Sequence, residues 1–191
     1  MDGALVATPP ASRKAADKRA SAPKTFTSVH GSPGMGRQEV VYRHLSKKAP
    51  RLRMLLGLEP MARIDLVRAG VDPVVVDDLD TTLGVGKQRL LKGLGVAPQT
   101  VSRNRRLRTP LNAADSERVV GLAQLLERVA RWPPSDEAVA AGFDPFAWLG
   151  TWLTSPNPAL GGQRPLALLD TSDGRLLVDG VLATMESGAY V

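Results

Sequence analysis

The sequence contains no cysteine. That removes a disulfide framework, thiolate-bound zinc and a cysteine nucleophile together. Histidine is nearly as scarce: His30 and His44 are the only two, and both fall in the N-terminal quarter of the chain. A histidine-centred base or metal site therefore has no material further along. Eight aromatic side chains in 191 residues mean that a core has to be built from Leu, Val and Ala. No apolar run approaches the roughly 18 residues that a membrane helix requires. The N-terminus lacks the apolar centre of a secretory signal, so a cytoplasmic location is expected.

Charge is plentiful, and it is segregated. Residues 1–56 hold 11 basic and 3 acidic side chains, residues 57–85 hold 2 and 6, residues 86–108 hold 7 and 0, and residues 109–191 hold 5 and 10. Such alternation suggests a polyanion as partner for the basic parts and leaves the acidic C-terminal part for another task. Residues 1–55 are rich in Ala, Ser, Thr, Pro, Lys and Arg with no sustained hydrophobic period. They read as a basic, largely disordered tail, with a short helix possible over Arg37–Leu45.

The most informative stretch runs from Lys87 to Arg108. Leu90, Leu91 and Leu94 make an apolar face at helical spacing, and Gly95 follows as a stop. Pro98 can open a second helix, where a missing N–H costs nothing. That helix shows Gln99, Thr100, Ser102, Arg103, Arg105, Arg106 and then Arg108, with Val101 as its inward residue. A cationic helix braced by an apolar one is what a helix-turn-helix needs to enter a major groove. Gln99, Thr100, Ser102 and Arg103 are candidates for base edges, and Arg105, Arg106 and Arg108 for phosphates. A merely solvated pair of basic helices remains the alternative at this point.

The flanking elements read as helices too. Pro60 opens one, with Met61, Ile64 and Val67 inward and Gly70 as its stop. Asp72-Pro73 precedes another bearing Val76, Leu79 and Leu83, with a weak strand signal at Val74–Val76. Asn112, with Asp115 three residues on, caps the longest helix, whose stripe is Val119, Leu122, Leu126 and Val129 and which Pro133-Pro134 end. Residues 56–134 thus read as a compact helical domain around the helix-turn-helix. Residues 135–191 form a second unit. Asp144-Pro145 caps a helix with Trp148 and Trp152 toward the core, Pro165 opens a short helix, and Thr171 caps the last one, ending at Gly188.

No catalytic set emerges. Asp77, Asp78 and Asp80 lack the glycine and terminal Glu of a calcium loop and read as a solvated helix face. Gly84-Val85-Gly86-Lys87 runs into Gln88, where a phosphate loop requires Ser or Thr after the Lys.

The run Trp152-Leu153, Ser155-Pro156-Asn157, Ala159-Leu160-Gly161-Gly162, Pro165-Leu166, Leu168-Leu169, Thr171, Gly174, Val178, Leu182, Glu186 and Gly188 resembles the toxin-binding domain of Xre/MbcA/ParS antitoxins. Upstream, Leu94-Gly95-Val96, Thr100, Leu111, Asp115-Ser116, Arg118 and Val119 resemble the Xre-like helix-turn-helix that precedes it there. The resemblance covers about residues 60–190. Ala97 stands where the family often has Ser or Asp, Thr184 and Met185 stand where it usually has Arg, and Trp132-Pro133-Pro134 interrupts the connection between the two parts.

The resemblance implies an all-α type II antitoxin without enzymatic activity or cofactor. Its implied partners are a RES-domain toxin that degrades NAD, operator duplex DNA and a second copy of itself. The C-terminal unit would cover the toxin's active-site entrance, and residues 135–191 alone would be expected to protect. Arg164, Arg175, Glu186, Tyr190 and Val191, polar or late in the chain, are the candidates for toxin contact. A stand-alone regulator whose C-terminal unit only dimerises is the alternative.

Overall fold

Local signals start and stop nearly every helix. The computed structural model describes residues 49–132 and 142–187, and no strand occurs among them. The helices are α1 (Pro50–Leu55), α2 (Pro60–Ala69), α3 (Val75–Leu83), α4 (Lys87–Gly93), α5 (Pro98–Leu107), α6 (Ala113–Arg131), α7 (Pro145–Thr154) and α8 (Ser172–Glu186), with 3-10 turns at Pro158–Leu160 and Pro165–Leu168 between the last two. Asn112 accepts from the Asp115 N–H at 2.8 Å, Asp144 accepts from the N–H groups of Phe146 and Ala147, and Thr171 accepts from that of Gly174 at 3.1 Å. Each cap satisfies a first-turn donor that the helix cannot serve itself. Pro133-Pro134, the Arg37–Leu45 segment and Gly188 lie outside the described residues.

α6 is the central element. Val119, Leu122, Leu126 and Val129 are fully buried, as their spacing predicts, and Val120, Ala123, Leu125 and Ala130 are buried beside them. The burial extends around the helix because α2, α7, α8, α1 and α3 all pack on it. α7 also lies against α3, so one continuous core holds residues from both halves of the chain. The two units read from the sequence thus share a core, which a fragment of residues 135–191 would not complete. Cut at 135, α7 would lose the α3 and α6 surfaces that bury Phe146, Leu149 and Leu153.

Three expectations change. The tail does not extend to residue 55, because α1 buries Leu52 and Leu55 within the core. Val74–Val76 does not form a strand: Val75 and Val76 open α3 and are buried, as a helix packed on two sides requires. Met61 and Ile64 of α2 are 66% and 42% exposed, and α2 reaches the core instead through the half-buried Leu66 and Val67.

The acidic run on α3 is not a solvated face. Asp78 is buried, and its Oδ2 accepts from the N–H groups of Arg51 and Leu52, each at 3.2 Å. It caps the first turn of α1 from another helix, in place of a local cap. Asp78→Ala is expected to cost about 1–3 kcal/mol, because two donors lose their acceptor. Asp78→Asn should lose less, since an acceptor oxygen remains. Urea midpoints of the three proteins test this, and equal midpoints would contradict it.

Candidate functional site

α4 and α5 form the helix-turn-helix that the sequence suggests. Leu90, Leu91 and Leu94 are buried, and Gly95 adopts φ +63°. The turn closes by two backbone bonds, Gly95 N–H to the Lys92 carbonyl (3.1 Å) and Val96 N–H to the Leu91 carbonyl (3.0 Å). This is a Schellman closure, with buried Val96 supplying its apolar contact. Pro98 occupies the first position of α5, and the Ala97 side chain provides no cap. The helix ends on Arg108 in the left-handed region (φ 54°), a place where Gly is the usual choice.

Val101 and Asn104 are the buried residues of α5 and fix its inward direction. The Asn104 amide donates to the Pro110 carbonyl at 2.7 Å, so this polar side chain is satisfied where it is buried. At about 100° per residue, the opposite face carries Gln99, Ser102, Arg103 and Arg106, and all four are exposed. Thr100, half-buried, lies at the edge. Among the described residues, neither Arg103 nor Arg106 takes part in an ion pair. Arg105 is different: its Nη1 is 2.5 Å from Asp77 Oδ2, while Lys87 Nζ is 2.5 Å from Asp77 Oδ1. One carboxylate of α3 thus ties the start of α4 to the last turn of α5. Arg105 holds the recognition helix in place, and Asp80 adds a bond to the Gly86 N–H at 2.8 Å.

In the C-terminal unit the Pro-Asn-Pro-Ala-Leu-Gly-Gly segment closes on itself. Buried Asn157 accepts from the Ala159 N–H through its side chain (2.9 Å) and from the Leu160 and Gly162 N–H groups through its carbonyl, while its own N–H meets the Gln163 carbonyl. Gly161 and Gly162 serve that turn, both with positive φ. Trp148 stacks on Trp152 (centroids 6.0 Å) and touches Trp132 at 5.1 Å, so these rings cover the edge of the core, half-buried.

The sequence-derived toxin contacts separate. Arg175 is taken up internally: its guanidinium donates to Glu117 at 2.8 Å, its side chain is 14% exposed, and its stem lies across Gly121 of α6. Glu186 accepts from Arg128 Nη1 at 2.8 Å, and Asp179 binds Arg128 through both oxygens, at 2.7 and 3.1 Å. Those hydrogen bonds to Asp179, then its charge and Glu186, outweigh burial and raise the Arg128 pKa above its ordinary value. This network clamps α8 to α6 beside a groove of about 670 Å³ that Arg63, Gln124 and Leu176 also line. Arg164 is exposed at the entry to the second 3-10 turn. Tyr190 and Val191 lie outside the described residues.

Sequence reading missed Leu176 and Leu177, which are 70% and 60% exposed on α8. The buried stripe of α8 is Gly174, Val178 and Leu182, at i, i+4 and i+8. Both leucines stand off it, and that spacing was the available signal.

Comparison with known proteins matches the same two regions. A family model described as the antitoxin Xre-like helix-turn-helix domain matches residues 62–124. One described as the antitoxin Xre/MbcA/ParS C-terminal toxin-binding domain matches residues 143–188. The chain is similar to the Prs ADP-ribosylating antitoxin of Sphingobium sp. (strain YBL2), 34% identical over 138 residues, covering 72% of this chain and 86% of that protein. It is also similar to the antitoxin Xre of Yersinia enterocolitica serotype O:8 / biotype 1B (strain NCTC 13174 / 8081), 22% identical over 127 residues, covering 66% and 80%.

Proposed function

Because the chain belongs to the Xre/MbcA/ParS antitoxin family, we propose that it neutralises a RES-domain toxin that consumes NAD and, as a homodimer, represses its own operon. The observation that carries this reading is that elements sharing one core present two faces of different chemistry. α5 presents Gln99, Ser102, Arg103 and Arg106 outward with no acid among them, while α8 presents the bare leucines Leu176 and Leu177. The first suits a polyanion, the second a protein.

Gln99, Ser102 and Arg103 are proposed to meet base edges, with Thr100 at their margin. Arg106 and Arg108 are proposed to meet phosphates. Holding Arg108 in a left-handed conformation costs about 1–2 kcal/mol, which supports a use for that side chain outside the fold. Leu176 and Leu177 anchor the toxin, with Glu186, Tyr190 and Val191 following in sequence. The bare Met61 and Ile64 of α2 support a self-association face there.

The NAD chemistry is assigned to the partner. The name of the Sphingobium relative joins antitoxin to ADP-ribosylation. ADP-ribosyl transfer and NAD hydrolysis both break the nicotinamide–ribose bond, so either toxin activity would lower NAD.

The test is co-purification of the tagged full chain with a RES-domain toxin, taken from the adjacent reading frame where that encodes one. Leu176→Asp with Leu177→Asp is expected to weaken the complex at least a hundredfold, since charge placed at a buried anchor is among the costliest interface changes. Unchanged affinity would remove α8 from the toxin face.

A further inference from the structure

A cleft of about 610 Å³ opens beside the contact between α4 and the second 3-10 turn. Gln88, Arg89, Lys92, Thr154, Arg164 and Ala167 line it, with Gly93 and Leu166 at its floor. Three cations face this space and no acid does. None of the three is ion-paired among the described residues. Like charges sharing a cleft raise its potential and leave it in want of an anion.

We propose that this cleft takes a backbone phosphate of duplex DNA, so that Arg164, a residue of the toxin-binding unit, is also part of the DNA-binding surface. The proposal rests on the DNA-binding reading above. In a helix-turn-helix the first helix crosses the nucleic-acid backbone while the second enters the groove. α4 is that first helix. Its buried residues are Leu90, Leu91 and Gly93, and Arg89 and Lys92, one turn apart, are exposed. They stand where a phosphate passes, and Arg164 completes the cleft from the other wall.

Arg164 is rigidly placed for this. A Cβ at Gly93 would lie 2.5 Å from Leu166 Cγ and 2.7 Å from its carbonyl oxygen, so the missing side chain lets the 3-10 turn rest directly on α4. Arg164 is two residues before that contact. Arg118 of α6 bridges the joint, its Nε donating to the Asp170 carbonyl at 3.3 Å and its Nη1 to the Gly95 carbonyl at 3.5 Å. The position of Arg164 relative to α4 is thus set by backbone packing.

The experiment uses the full chain and two duplexes: the sequence immediately upstream of its own reading frame, and a scrambled duplex of equal length. Affinity is measured across a salt series. Loss of one phosphate contact lowers the slope of log K against log salt by about 0.9. Arg164→Ala is expected to show that loss on both duplexes, and Arg164→Lys, which keeps the charge, to restore most of it. Because Arg164 is exposed, both variants should melt with the parent. An unchanged slope for Arg164→Ala overturns the proposal, most plainly if that variant loses only toxin affinity. A parent chain that binds neither duplex overturns the DNA-binding reading and this proposal together. A parent that binds, with slope unaffected by Arg164→Ala, overturns this proposal alone.

Discussion

Replacing Arg103 and Arg106 together with Ala is expected to abolish operator discrimination while toxin neutralisation persists. The two side chains sit on the exposed face of α5, away from the inward Val101 and Asn104. Neither takes part in an ion pair among the described residues, so their removal leaves no buried group unsatisfied and the fold unchanged. An arginine that reads guanine, the role proposed for Arg103, contributes about 1–3 kcal/mol of discrimination, and loss of the Arg106 phosphate contact weakens binding on either duplex and lowers its salt dependence. Arg105→Ala should behave differently. It breaks the pair with Asp77 and loosens α5 on its support, with a cost of at most about 1 kcal/mol for so exposed a pair. Gel-shift titration on operator and scrambled duplexes, run beside a toxin-protection assay, separates these cases. Equal losses in both assays would place the double variant's effect in the fold.

Gly150→Ala is expected to be among the most damaging single-methyl changes at the described residues. Its Cβ would stand 1.9 Å from the Leu83 carbonyl oxygen and 2.8 Å from the carbonyl carbon. Both atoms are backbone at the end of α3, so no side chain can swing aside and α7 itself has to move. Overpacking of this kind costs about 3 kcal/mol. Because α3 carries Asp77, which ties α4 to α5, and α7 belongs to the toxin-binding half, DNA binding and neutralisation should fall together. Gly180→Ala on α8 is the control. Nothing lies within 4 Å of its added Cβ, so a gain of about 0.5–1 kcal/mol is expected from helix propensity alone. Thermal melts of the two variants give the comparison. Loss of toxin binding alone in Gly150→Ala would show that α7 docks as an independent unit.

What was legible in the sequence was local. Asn112, Asp144 and Thr171 cap the helices they were read to cap, because a cap needs only its own next three residues. Gly95 and Pro98 mark the turn and the start of α5 for the same reason. The outward arginines of α5 were legible, but their division was not. Nothing in the run Arg103 to Arg108 says that Arg105 turns to an aspartate 28 positions earlier. Asp78 reads as a surface acid until α1 is brought over it, and Arg175 reads as an interface residue until α8 is laid across Gly121. Leu176 and Leu177 drew no sequence expectation and are bare by position. In each case the deciding partner is distant in sequence, and periodicity carries no information about which helix a face will meet.

The most direct test of antitoxin action is the cellular NAD level, measured with growth, when the product of the adjacent gene is induced with and without this chain. On the proposed reading that product alone should deplete NAD and arrest growth, and the full chain should restore both, including in the Arg103→Ala, Arg106→Ala form. NAD that stays low, or growth that stays arrested, with the chain present at equal abundance would contradict the proposed neutralisation and leave DNA binding as the function to pursue.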